Sequence, residues 1–149
     1  MRGRAATLAV VVCFLAISVA GCSSDPQAEY CEAVEDHQEA LTEVAASEDP
    51  GALLDALPRY RELARAAPRD VAGDWDQVVT SLAGLQEALG EAGLDPSSYD
   101  ASEPPADLSA ADRAAIESSA AELGSQATVR AMASLEQHAL DVCGTPLSR

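Results

Sequence analysis

Residues 68–89, PRDVAGDWDQVVTSLAGLQEAL, decide how the chain folds. Val71, Trp75, Val78, Leu82, Leu85 and Leu89 follow one another at alternating steps of four and three, the spacing of a single helical stripe. Pro68 stands like a first-turn proline, where the amide it lacks would have no partner anyway, and Gly90 and Gly93 follow as terminators. The stretch predicts a helix from Pro68 to Leu89. Two complete heptads of this kind favour packing against antiparallel neighbours at a shallow angle.

The same pattern extends outward in both directions. Residues 52–66 read as a helix with Leu53, Leu57, Tyr60, Leu63 and Ala64 inward, and Pro58 inside it predicts a kink or a fresh start. Ahead of Ser47-Glu48-Asp49-Pro50-Gly51, a first helix over residues 26–46 turns Tyr30, Val34, His37, Leu41 and Val44 to the core, with Glu32, Glu35, Asp36, Glu39 and Glu43 on its other faces. Residues 91–108 are polar, acidic and proline-bearing, and so long a connection in a small domain is usually functional or mobile. Ser109 then caps a helix over residues 110–123, with Asp112 in its first turn and Ile116, Ala120 and Leu123 inward. Gly124-Ser125 interrupts or bends it. A last helix over residues 126–143 presents Val129, Met132, Leu135, Ala139 and Val142, before Gly144 as a left-handed cap and Pro146 as a stop. No stretch alternates with period two, and β-branched and aromatic residues are scarce. The fold class is all-α: an antiparallel bundle of four or five helices.

The N-terminus carries a different signal. Arg2 and Arg4 precede an uncharged apolar run from Ala5 to Ala20, shorter than the roughly 20 residues that span a bilayer and ending in small residues. Val19-Ala20-Gly21-Cys22 resembles the lipobox of bacterial lipoproteins. The resemblance implies a signal peptide over residues 1–21, a diacylglycerol on the Cys22 sulfur, a lipidated tether over residues 22–28 and a bundle domain over residues 29–149, held at the extracytoplasmic face of the cell membrane. The alternative is an ordinary cleaved signal that leaves Cys22 as a free thiol. Cys13 leaves with the leader and Cys22 takes the lipid, so Cys31 and Cys143 remain. In an exported domain such a pair reads as one disulfide closing the bundle; two buried free thiols are the other reading.

Without residues 1–21 the chain has 25 acids against seven arginines and no lysine, a formal charge of −18. A balance this acidic argues against nucleic-acid partners, which require cations to displace condensed counterions. Arg59, Arg61, Arg65 and Arg69 concentrate most of the positive charge, and the spacing of the last three by four predicts a shared face. They read either as ion pairs to acidic helices or as a contact for anionic lipid headgroups or an acidic wall polymer.

His37 and His138 stand about 9 Å and 7.5 Å of helix rise from Cys31 and Cys143, so a disulfide would bring the imidazoles to similar heights, where Asp36 or Glu136 would complete a metal site. The alternative is a hydrogen-bonded core histidine. Ser134 and His138 share a helical face without a strained turn or an oxyanion hole, and Asp74 and Asp76 flank Trp75 on a helix where successive residues diverge by about 100°, so they form no carboxylate pair. No phosphate loop or calcium loop occurs. An enzyme is not expected, and neither is a cofactor.

Tyr30-Cys31-Glu32-Ala33-Val34, Leu57-Pro58, Ala67-Pro68 and Val142-Cys143-Gly144 resemble the small cysteine-paired helical lipoproteins of actinobacteria. That family brings no catalytic residues. The expected function is an interaction or structural module at the cell envelope, with the membrane and an envelope protein as partners. The alternative is a small-ligand or metal-ion carrier with a pocket beneath residues 91–108, near Trp75 or Tyr99.

Overall fold

Asp25 opens the first helix: its side chain accepts the Gln27 amide at 3.0 Å, and Pro26 follows in the first turn, where a missing N–H costs nothing. The structure, a computed structural model, describes residues 25–49 and 51–149. The expected leader with Cys13, the expected lipidation site Cys22, Ser23, Ser24 and Pro50 lie outside the described residues. Those described form helices α1 (Pro26–Ala46), α2 (Ala52–Asp55), α3 (Leu57–Ala66), α4 (Ala72–Glu91), α5 (Ala110–Leu123) and α6 (Gln126–His138), with Ala139–Cys143 continuing α6 as a π-turn. No strand occurs among the described residues, so the fold is all-α. Residues 26–28, which the sequence reading gives to the tether, lie in the first turn of α1.

Pro58 produces a fresh start. Lacking an amide, it cannot continue the ladder of α2, and α3 begins around it with Ala56 O accepting the Arg59 and Tyr60 amides at 2.9 and 3.2 Å. The next helix departs from its expected start at Pro68. Ala67, restrained by the following proline, is extended (φ −61°, ψ 134°). The chain then closes a turn through Val71 N–H to Pro68 O at 3.2 Å, and helical bonding begins with Trp75 N–H to Val71 O at 3.1 Å. At the other end Gly93, at φ +68°, lets Leu94 N–H reach back to Leu89 O at 2.9 Å. Ser109 and Ser125 cap α5 and α6 by accepting the Asp112 and Thr128 amides at 3.0 and 3.2 Å. Gly144, at φ +67°, ends the last turn.

α4 is the central helix and packs on α2, α3, α5 and α6. Val71, Trp75, Val78, Leu82 and Leu89 are all buried, as the stripe predicts. Glu62 beside His37, with Arg59 at the same cleft as Ala40 and Glu43, sets α3 antiparallel to α1, and Thr128 beside Ser81 with His138 beside Asp70 sets α6 antiparallel to α4. Among the described residues, every core residue lies between Tyr30 and Leu147. Cys31 and Cys143 are joined, with an S–S distance of 1.99 Å and Cα atoms 5.2 Å apart.

Three inward assignments shift. Leu53 is 37% exposed and Leu54 is buried in its place; Val129 is 58% exposed and Thr128 is buried in its place. Ala120 is exposed. In α1, Gln38 takes the buried position beside the half-buried His37 because its Nε2 donates to Pro146 O at 2.6 Å, tying the C-terminal segment to the bundle. Gly51 meets the 95–102 loop so closely that a Cβ there would lie 2.6 Å from the Ser97 amide nitrogen.

The crosslink joins residues 112 positions apart. Its removal by reduction or by Cys143→Ser is expected to lower the unfolding free energy by about 4 kcal/mol, read as a shift in the urea midpoint. A loss below about 1 kcal/mol would mean that packing alone holds the two ends together.

Candidate functional site

The disulfide end of the bundle holds most of the ring chemistry. Tyr30, fully buried beside Cys31, accepts the Trp75 indole N–H at 3.2 Å, and the His138 ring meets it edge-on with centroids 5.6 Å apart. His138 Nε2 lies 3.3 Å from an Asp70 carboxylate oxygen, while its buried Nδ1 has no hydrogen-bond partner. His37 Nε2 lies 2.9 Å from Glu62. Each imidazole therefore answers to a carboxylate on another element, Glu62 and Asp70, and not to the expected Asp36 or Glu136. Among the described residues no three His, Cys, Asp or Glu side chains gather as metal ligands. Ser134 is exposed, and the paired nitrogen of His138 is engaged by Asp70.

Arg59, Arg61 and Arg65 lie on α3, but Arg69 falls in the turn after it, so only Arg61 and Arg65 keep the four-residue relation on one helix. Among the described residues no arginine comes within 4.0 Å of a carboxylate; the two ion pairs both involve histidine. The expected pairing with acidic helix faces is absent there. By the register that His37 and Glu62 set, Arg65 stands level with Val34, and Asp70 at His138 brings Arg69 near Tyr30. Both arginines thus share the end of the bundle from which the chain leads back to Cys22.

The clefts lie elsewhere. Beneath residues 96–101, a 430 Å³ cleft is walled by Leu54, Leu85, Leu89, Ile116 and Tyr99. Its loop is held by two consecutive carboxylate-centred turns. Asp95 accepts the Ser97 amide and hydroxyl, and Asp100 accepts those of Ser102, at 2.7–2.9 Å. These bonds, the hydroxyl foremost, hold both carboxyls below their ordinary pKa. Trp75 is not in this cleft; it sits in the core.

On another face an apolar cleft of 240 Å³ opens between Leu53, Tyr60, Val78, Leu82, Leu123, Thr128, Val129 and Met132. Thr128 adds no free polar group to it, since its hydroxyl donates to Glu122 O at 2.9 Å and receives Gln77 Nε2 at 3.1 Å. A second cleft, of 320 Å³, shares Leu53, Tyr60 and Met132 with the first and continues to Leu41, Val44, Asp49, Glu136 and Leu147. The two adjoin at these three side chains and together are called the groove. Leu53 and Val129 are exposed because they make its rim, which an inward stripe alone does not distinguish from core.

Burial raises the Tyr30 phenol above its ordinary pKa, against the lowering by the Trp75 bond and with help from Asp70 and Glu136, and burial raises Tyr60 as well. A group whose pKa is higher in the folded state favours folding below its unfolded pKa and loses that contribution as pH rises through the folded value. The thermal midpoint should therefore fall above about pH 10, and Tyr30→Phe or Tyr60→Phe should each flatten that fall. At pH 7 Tyr30→Phe should cost about 1–3 kcal/mol, because the Trp75 N–H is left buried without its acceptor.

No protein-family model, curated protein or solved structure matches the chain.

Proposed function

We propose that the chain is an extracytoplasmic lipoprotein, anchored to the cell membrane by lipid on Cys22, whose disulfide-closed bundle is a binding module at the cell envelope. One observation supports the reading: Val44, at one border of the groove, lies most of a helix length from Pro26, from which the chain leads back to Cys22. From Pro26 to Val44, which borders the groove, α1 runs about 27 Å at 1.5 Å per residue. A module tethered at one end and open at the other is built to meet something away from the bilayer. The disulfide agrees with an oxidising compartment. No helix among the described residues is long and apolar enough to cross a membrane, so attachment in this reading rests on the lipid.

A second reading, a small-ligand carrier, draws on the 430 Å³ cleft beneath the loop, which lies within the roughly 300–1,000 Å³ of small-molecule sites and includes Tyr99 in its wall. At the anchored end, exposed Arg65 and Arg69 are free of carboxylates within 4.0 Å among the described residues and are available to anionic headgroups, against the acidic field of the domain as a whole.

Cys22→Ala is expected to abolish incorporation of labelled palmitate and to move the chain out of the detergent phase on Triton X-114 partition. An unmodified wild-type chain would overturn the anchor. For the arginines, residues 25–149 should cosediment with phosphatidylglycerol vesicles at low salt, and the double change Arg65→Glu, Arg69→Glu should remove that binding; equal binding by both forms would dismiss the contact.

A further inference from the structure

The groove over α2, α3 and α6 is chemically lopsided. Its inner part, between Val78, Leu82, Leu123 and Val129, is walled mainly by hydrocarbon; the Thr128 hydroxyl is already bonded within the protein, and the Tyr60 phenol lies where the two parts adjoin. Its outer part carries two carboxylates, Asp49 and Glu136, and no basic side chain lines either part. Glu136 is half-buried, and its hydrogen-bond partner is a backbone amide, Leu147 N–H at 3.2 Å. A half-buried carboxylate without a counter-charge, at the mouth of an apolar trough, attracts a cation that brings a hydrocarbon tail with it. The inner walls select against an extended peptide, whose backbone amides would find no partner among satisfied helices.

We propose that this groove binds an amphiphile with a single linear apolar chain and a cationic head, the chain running past Leu53 and Met132 toward Val129 and the head between Asp49 and Glu136. The envelope reading supplies only the place where such a ligand would be met; the groove's chemistry stands apart from it. Leu53 and Val129 are exposed rim residues, and Glu136→Gln keeps an acceptor for the Leu147 amide, so all three can be changed without emptying the core.

The test is calorimetric titration of residues 25–149, which hold every core residue among those described, with dodecyltrimethylammonium and with dodecanoate, both below their micelle concentrations. One equivalent of the cationic amphiphile should bind at least tenfold more tightly than the anionic one. The double change Leu53→Asn, Val129→Asn should weaken both about tenfold, and Glu136→Gln should erase the preference for the cation while leaving dodecanoate unaffected. Tetramethylammonium alone should give no measurable heat. Absence of binding by either chain, equal affinity for the two heads, or multiple equivalents insensitive to these substitutions would overturn the proposal. Failure of palmitate labelling at Cys22 would overturn the envelope reading and leave this titration standing.

Discussion

One covalent constraint organises the molecule: the bond from Cys31 to Cys143 lays the first turns of α1 against the last turn of the chain. Around it the aromatic contacts accumulate. Tyr30 adjoins the crosslink in sequence, takes the Trp75 indole N–H and lies under His138, so that α1, α4 and α6 meet at one level. Apart from Tyr60 and Ile116, the hydrophobic core is otherwise made of leucine, valine and alanine, and a crosslink worth about 4 kcal/mol is a large part of the roughly 5–15 kcal/mol that such domains have to spare. Both ends of α1 are fixed, the first by sulfur and the second by Gln38 and Thr42, which receive the C-terminal segment through Pro146 O and Arg149 N–H.

Much of this was legible from residue pattern. Caps marked by side-chain chemistry read directly: Ser109 with Asp112 and the left-handed Gly144; Pro58 marked a break but left kink and restart open. The 71–89 stripe identified the central helix because its apolar positions are large and contrast with their neighbours. Where that contrast fades the reading slips. Leu53 and Leu54 are equally apolar, so only tertiary packing decides which turns inward. Thr128 reads as surface, yet Thr128, Ala131, Leu135 and Ala139 are the buried line of α6, and the polar member is admitted because Ser81, Gln77 and Glu122 O satisfy it. Gln38 displaced His37 from the core by the same logic, its partner lying 108 positions away. Bonds of that range leave no periodic trace.

The candidate surfaces were legible only in part. A cleft beneath the long loop near Tyr99 follows from the composition of residues 91–108, but the apolar groove does not, because it arises from two one-residue rotations, at α2 and at α6, that no stripe records. The arginine cluster was visible as composition. Its break into a helical part and a turn, with Arg69 beyond α3, follows from proline at 68, whose predecessor must leave the helix.

α2 is a single turn of four residues, and its neighbouring leucines border different spaces, Leu53 the groove and Leu54 the cleft under the loop. Gly51, at its start, is pressed against the loop backbone at Ser97. The backbone placement of this one turn therefore enters the walls of both hollows at once, Leu53 facing one and Leu54 the other.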